Sequence, residues 1–244
     1  MFSGKMKSRL IGLAMAGAAL AVPGAAMAGV VVKSSGPSAS QYPVGTKLDD
    51  NASVTLQAGD VITVLTSDGT QVMRGAGTFR VGERARVTNA RFSSLTRKRN
   101  ARRVRTGAIR GDTIGAPPAV PNLWYVDVAR SGTMCLYSLE SVRLWRSNGE
   151  GLATYSIAPA EAQAKIDITF DDTVVVAAID PARLQIEEGA TYSITGPEGS
   201  SEASVTFALL SEDYERADQL AEALLAKGCT AQVEVLADRL GGPT

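Results

Sequence analysis

The sequence contains no histidine, and its 244 residues include only two cysteines, Cys135 and Cys229. Without histidine there can be no Ser-His-Asp or Cys-His nucleophilic machinery and no zinc site built with imidazole. Two cysteines so far apart make no CxxC pair, so thiol–disulfide exchange has no carrier. Aromatic residues are scarce, at 5% of the chain. Catalytic motifs are missing as well. Gly75-Ala76-Gly77 lacks the third glycine of a dinucleotide loop, and the glycines at 77 and 82 are followed by Glu83-Arg84 rather than Gly-Lys-Ser/Thr. Adjacent acids occur at Asp49-Asp50, Asp171-Asp172, Glu187-Glu188 and Glu212-Asp213. Neighbours in a strand point to opposite faces, and each of these pairs sits at an expected turn or helix start, so none builds a carboxylate dyad. The chain reads as non-enzymatic, with no cofactor and no metal.

The longest apolar run, Leu10 to Val22, is 13 residues, short of the ~20 needed to span a bilayer. Lys5, Lys7 and Arg9 precede it, Pro23-Gly24 ends it, and Ala26-Met27-Ala28 supplies the small residues of an A-x-A cleavage site. Residues 1–28 are therefore expected to be a cleaved export signal, and the rest a periplasmic protein without a transmembrane span. In an oxidising compartment Cys135 and Cys229 are expected to pair.

After residue 28, short apolar stretches alternate with turn residues. Strands are expected at Gly29–Val32, Ser53–Gln57, Val61–Leu65, Val72–Met73 and Thr78–Val81, with Asp68-Gly69 as a hairpin tip. These define a small all-β module, residues 29–82. From residue 121 a second series follows, at Leu123–Val128, Thr133–Tyr137, Val142–Arg146, Ala153–Ile157, Lys165–Phe170, Thr173–Ile179, Thr191–Thr195 and Ala203–Leu209. Spacings near ten residues indicate a β-sandwich rather than alternating βαβ units. The period then changes. Ala217, Leu220, Ala221, Leu224 and Leu225 share one helical face, Ser211 is the expected N-cap, and Gly228 fits the helix end. Val233, Leu236, Ala237 and Leu240 repeat the spacing, so a second helix is expected at Thr230–Leu240, with a strand at 231–235 as the competing reading. Residues 121–244 are thus a sandwich closed by a C-terminal helical hairpin, and the fold class is mainly β.

Between the two β units lies a concentration of positive charge. Residues 80–110 hold eleven Arg and Lys against one acid, Glu83. Residues 83–120 are expected to form a basic, mobile linker, with 111–121 rich in Gly and Pro. Its dense cluster, Arg97, Lys98, Arg99, Arg102, Arg103 and Arg105, is the candidate contact with an envelope protein or an anionic envelope surface. Two other readings stand beside this one: a solvated run whose charge only resists collapse, and a counter-pole to the acidic remainder of the chain. Nucleic acid fits poorly, because Phe92 is the lone aromatic in the segment and offers no stacking platform. Trp124, Tyr125, Tyr137, Trp145, Tyr155 and Tyr192 cluster in the second unit. They are expected in the sandwich core or at its rim, the alternative being the face of a small-ligand sensor.

The pattern Leu56-x-x-Gly59-Asp60-x-Ile62-x-Val64, then Gly69-Thr70 and Arg74-Gly75-Ala76-Gly77-Thr78-Phe79, resembles the extracytoplasmic module of FecR-type proteins. The resemblance covers residues 29–82. It implies a small β module that engages another envelope protein. FecR-type regulators carry a cytoplasmic anti-sigma region and a membrane span ahead of this module, and a cleavable signal is expected in their place here, so sigma-factor signalling does not carry over. The second unit, chiefly at Gly189-Ala190-Thr191-Tyr192-Ser193-Ile194, is similar in architecture to immunoglobulin- or fibronectin-like envelope domains.

Overall fold

Apolar positions that alternate with polar ones, cut every few residues by turn formers, give strands, and the computed structural model is mainly β with three short helices. It describes residues 27–49, 51–83, 89–98, 103–105, 120–161, 165–200 and 202–241, of which 27, 28, 89 and 103–105 as backbone alone. The expected export signal falls outside these up to residue 26. Among the described residues no helix is long and apolar enough to cross a membrane.

The first unit comprises β1 (Met27–Ser35), β2 (Lys47–Asp49), β3 (Ser53–Leu56), β4 (Val61–Thr66), β5 (Gly69–Arg74) and β6 (Gly77–Arg80). An antiparallel sheet of order β2-β1-β4-β5 and the β3-β6 pair enclose Val31, Val54, Leu56, Ile62, Val64 and Met73. The β4–β5 hairpin turns at Ser67-Asp68, with Thr66 paired to Gly69. Asp60, from the Gly-Asp turn, is buried and ties three segments together. Its carboxylate accepts the Ser38 N–H at 2.9 Å and the Gln57 N–H at 2.6 Å, and its carbonyl accepts the Gly75 N–H at 2.9 Å. Burial pushes this carboxyl up, but the hydrogen bonds from Ser38 and Gln57 outweigh it and hold the group below its ordinary value. Gly36, at φ +101°, passes so close that a Cβ would stand 2.4 Å from the Asp60 carboxylate.

The remaining elements are α1 (Asn89–Thr96), β7 (Arg103–Arg105), β8 (Tyr125–Asp127), β9 (Gly132–Leu136), β10 (Arg143–Trp145), β11 (Ala153–Pro159), β12 (Ile166–Phe170), β13 (Val174–Ala178), β14 (Thr191–Thr195), β15 (Glu202–Leu209), α2 (Ala217–Ala226) and α3 (Thr230–Leu240). Sheets of order β7-β13-β10-β8 and β12-β11-β14-β15-β9 face each other across Val126, Leu144, Ile157, Phe170, Ile194 and Phe207. The β8–β10 and β9–β15 pairings are parallel and the others antiparallel. Tyr192, near the start of β14, sends its buried phenol back to the preceding loop. Its hydroxyl donates to the Gln185 carbonyl at 3.2 Å and accepts the Glu187 N–H at 3.0 Å. The phenol thereby pins the preceding loop to the sheet, a contact of the tyrosine-corner kind.

The two C-terminal helices form as a hairpin. Gly228, at φ +76°, ends α2 in a Schellman motif, with the Gly228 N–H on the Leu225 carbonyl and the Cys229 N–H on the Leu224 carbonyl. α3 spans Thr230–Leu240, so the competing strand at 231–235 is not formed. α2 starts at Ala217, five residues later than the Ser211 cap predicts. Leu210 instead continues toward β9, its N–H bonding the Leu136 carbonyl at 2.8 Å and its side chain buried. Arg216 then clasps Asp218, the first-turn acid, through both Nε and Nη2.

Two sets of contacts bear on the expected layout. Within residues 83–120, expected as a basic linker, α1 buries Phe92 and Leu95, three positions apart on one helical face, and β7 pairs with the edge of β13. The C-terminal helices, expected with the second unit, pack on the first as well. Leu220, Leu224, Val233, Leu236 and Leu240 share one apolar cluster with Val30, Val32 and Leu65 of the first unit and with Leu123 and Cys135 of the second. Exposed ion pairs border it, Lys33–Asp238 and Lys47–Glu222 on one side and Arg130–Glu234 on the other. Each is worth about 0–1 kcal/mol, so apolar burial holds the helices and the ion pairs trim their seating.

Candidate functional site

The last carbonyls of a helix need donors from outside it. For α1 the stretch Asn122–Trp124 supplies them. The Leu123 N–H bonds the Leu95 carbonyl at 3.0 Å, the Trp124 indole N–H bonds Thr96 at 2.6 Å, and the Asn122 side-chain amide bonds Arg97 at 2.9 Å. Asn122 is itself buried, and its side-chain oxygen accepts the Trp124 N–H at 3.0 Å. The start of the basic segment is thereby fixed to the start of the sandwich.

This docking creates a cleft of about 200 Å³ whose walls include Lys98, Trp124, Tyr137, Ser138, Ser141 and Arg143. The half-buried rings of Trp124 and Tyr137 meet edge to face at 4.6 Å. Lys98 Nζ lies 4.3 Å from the centre of the Tyr137 ring and 2.6 Å from the Asp213 carboxylate. The ammonium is thus held between a π face and an anion. Arg143 brings a second cation to the rim and donates to the Ser141 carbonyl at 3.1 Å. The arrangement can recognise an anionic group on a compact body. Among the described residues no trio of Cys, Asp or Glu is placed to hold a metal ion.

The Tyr137 phenol is pushed up to about 12 by burial, opposed by a backbone hydrogen bond from Tyr214 and reinforced by Asp213 and Tyr214. A tyrosine in an unfolded chain ionises near pH ~10. Between those values the folded protein keeps a proton that the unfolded chain releases, so stability falls as pH rises through the window. Urea unfolding at stepped alkaline pH should show this fall, and Tyr137→Phe should flatten it. Equal slopes in the two proteins would remove the assignment.

Of the six basic residues singled out in the sequence, Lys98 lines the cleft and Arg97 lies exposed beside it, its carbonyl capped by Asn122. Arg103 and Arg105 sit on β7, opposite Ala177 and Val174. Arg99 and Arg102 lie outside the described residues. The aromatic set divides. Trp124 and Tyr137 form the cleft, with Tyr125 buried at its base; Trp145 and Tyr192 are buried elsewhere, and Tyr155 packs edge-on against Phe170. Cys135 and Cys229 form the expected disulfide, with Cα atoms 5.9 Å apart and both residues fully buried. A second cavity, of about 40 Å³ between β8, β9 and α3, is apolar and has room for little more than a water or two.

Sequence reasoning missed Asn122 and Asp213. Asn122 stands between Pro121 and Leu123, a context that signals only a turn. Asp213 reads as a first-turn acid of a helix that in fact begins four residues later. Comparison with protein-family models, with curated proteins and with solved structures finds no match, so the fold and the cleft rest on this chain's own residues.

Proposed function

We propose that this chain is a non-enzymatic, periplasmic interaction protein that associates with an envelope protein or anionic envelope surface through its basic segment. The observation that carries the reading is the capping of α1 by Asn122, Leu123 and Trp124. Those bonds fix Arg97 and Lys98, the first two residues of the dense basic cluster, at the cleft. Three further features support it. The disulfide suits an oxidising compartment. Cleavage after Ala28 would leave the β1–β4 ladder whole, since its first pair is Gly29 with Thr66. The FecR-like turn at Gly59-Asp60 organises a module of the size that the resemblance implies. A second reading, a soluble sensor of a small ligand, is favoured by the Trp124–Tyr137 cleft itself.

Replacing Arg99, Arg102 and Arg103 together with Glu should lower the fraction retained with the envelope after osmotic release at low ionic strength. The difference should shrink at high salt, where such attraction is screened. Identical fractionation of variant and wild type at low salt would refute the role of the segment.

A further inference from the structure

The two partners of Lys98 are held with unequal firmness. Tyr137 belongs to the sandwich and is half-buried, and the backbone of Lys98 follows directly on a capped helix end. Asp213 comes from the irregular stretch between β15 and α2, and its side chain is 72% exposed. An exposed ion pair of this kind is weak and replaceable. Asp213, which does not itself line the cleft, therefore acts as a replaceable anion on Lys98 at the cleft's edge, with the Tyr137 ring behind the ammonium.

The rest of the wall narrows the choice of anion. Trp124 offers an apolar ring surface, the Ser138 and Ser141 hydroxyls are exposed at the rim, and Arg143 adds a second cation. Ring surface, hydroxyls and a pair of cations together suit a body that is apolar on its C–H faces, hydroxylated at its edge and negatively charged at one point. The cleft, at about 200 Å³, is smaller than the ~300–1,000 Å³ of a drug-sized pocket, which limits the occupant to about one ring.

We propose that the cleft binds an anionic sugar, whose carboxylate or phosphate takes the place of Asp213 beside Lys98. This rests on the reading of the protein as one that associates with anionic envelope material, and it names the chemical group engaged. Because Asp213 precedes α2, occupancy of the cleft competes with a contact that joins the basic segment to the helical hairpin.

The test is a titration followed through the two tryptophan indole N–H signals in nitrogen-labelled protein. Glucuronate and glucose 6-phosphate are the probes, and neutral glucose and inorganic phosphate the controls. The Trp124 signal should move saturably with either acidic sugar and not with glucose, while that of the buried Trp145 stays in place. Lys98→Ala should abolish the shift. Asp213→Asn should tighten binding about two- to fivefold, the factor an exposed ion pair is worth. Both side chains are exposed, so neither variant should disturb folding. A silent titration, or affinity unchanged or weakened in Asp213→Asn, would overturn the proposal. So would inorganic phosphate matching glucose 6-phosphate. If charge reversal of the basic segment lowers envelope retention while the titration is silent, the cleft assignment alone is lost. If the titration succeeds and retention is unchanged, the sugar site stands without the envelope role.

Discussion

Replacing both Cys135 and Cys229 with alanine should destabilise the protein by about 4–5 kcal/mol. The crosslink spans 94 residues, and chain entropy released in the unfolded state by opening a loop of that size amounts to about 4–5 kcal/mol. For a chain of this length each kcal/mol lowers Tm by about 2–4 °C, which gives a drop of roughly 8–20 °C. Equilibrium unfolding in urea should show a lower midpoint in the variant. A loss below about 1 kcal/mol would mean that the unfolded chain is already confined without the bridge. Thiol counting gives an independent check: the denatured, unreduced wild type should expose no reactive thiol.

The site of the crosslink explains why the full entropic term should be realised. β9 is an edge strand, and an edge leaves backbone groups without partners. Gln232, from the first turn of α3, supplies them. Its side-chain oxygen accepts the Cys135 N–H at 2.7 Å, and its nitrogen donates to the carbonyls of Cys135 at 2.9 Å and Leu123 at 3.0 Å. One amide side chain acts as one residue of a further strand. The disulfide begins at the same residue, so crosslink and amide clamp fix the same register of α3 on β9. Substitutions at Gln232 and at the cysteines should therefore be non-additive.

Strand positions in both units were legible because they depend on local alternation and on turn residues. Asp68-Gly69 marked the hairpin, and the expected Thr191–Thr195 strand is formed with those boundaries. The hairpin of α2 and α3 was legible from a 3.6-residue period interrupted by Gly228. What the sequence could not disclose is which faces meet. The helices read as an appendage of the sandwich, yet their apolar stripe also covers Val30, Val32 and Leu65, some 150 residues or more away in the chain. α1 escaped notice because two apolar residues, Phe92 and Leu95, sit among arginines that dominate the local composition. An eight-residue helix with so little apolar surface is not stable by itself; tertiary burial and the donors from Asn122–Trp124 make it one.

The candidate cleft shows the same division. Its ingredients, a basic run and an aromatic cluster, were visible separately. Their juxtaposition depends on the Asn122 amide and the Trp124 indole closing a helix end about 25 residues upstream. No period or spacing encodes such a long-range polar contact, so only the folded chain reveals it.

Arg146 was read simply as the end of a strand, and its replacement by methionine should have the second largest effect. The residue is 3% exposed, yet among the described residues no carboxylate forms an ion pair with it. Its guanidinium instead donates to five backbone carbonyls. Nε reaches Val174 at 2.8 Å, Nη1 reaches Glu150 at 3.4 Å, and Nη2 reaches Gly149, Gly151 and Asp171 at 3.2, 2.9 and 3.0 Å. The cation also lies 5.3 Å from the centre of the Phe170 ring. Burial pulls the guanidinium below its ordinary value, with Tyr155 and Asp172 opposing, but an arginine remains charged throughout the working range. The side chain thus gathers the turn at 147–151 and the turn at 171–173, which are further tied by Thr173 N–H to Gly149 at 2.8 Å and Gly151 N–H to Asp172 at 2.9 Å. Methionine keeps much of the apolar stem and removes every donor. Carbonyls in these turns lie near enough to the surface for water to replace some bonds, so the loss should be about 2–4 kcal/mol rather than the sum over five. Lysine should rescue little, since a single ammonium cannot span acceptors that a planar fork reaches from three nitrogens. Hydrogen exchange sharpens the test: the amides of Gly151 and Thr173 should lose protection in Arg146→Met while those of the distant β1–β4 ladder keep theirs. A variant as stable as wild type, with both turn amides still protected, would show that these turns hold their shape without the buried cation.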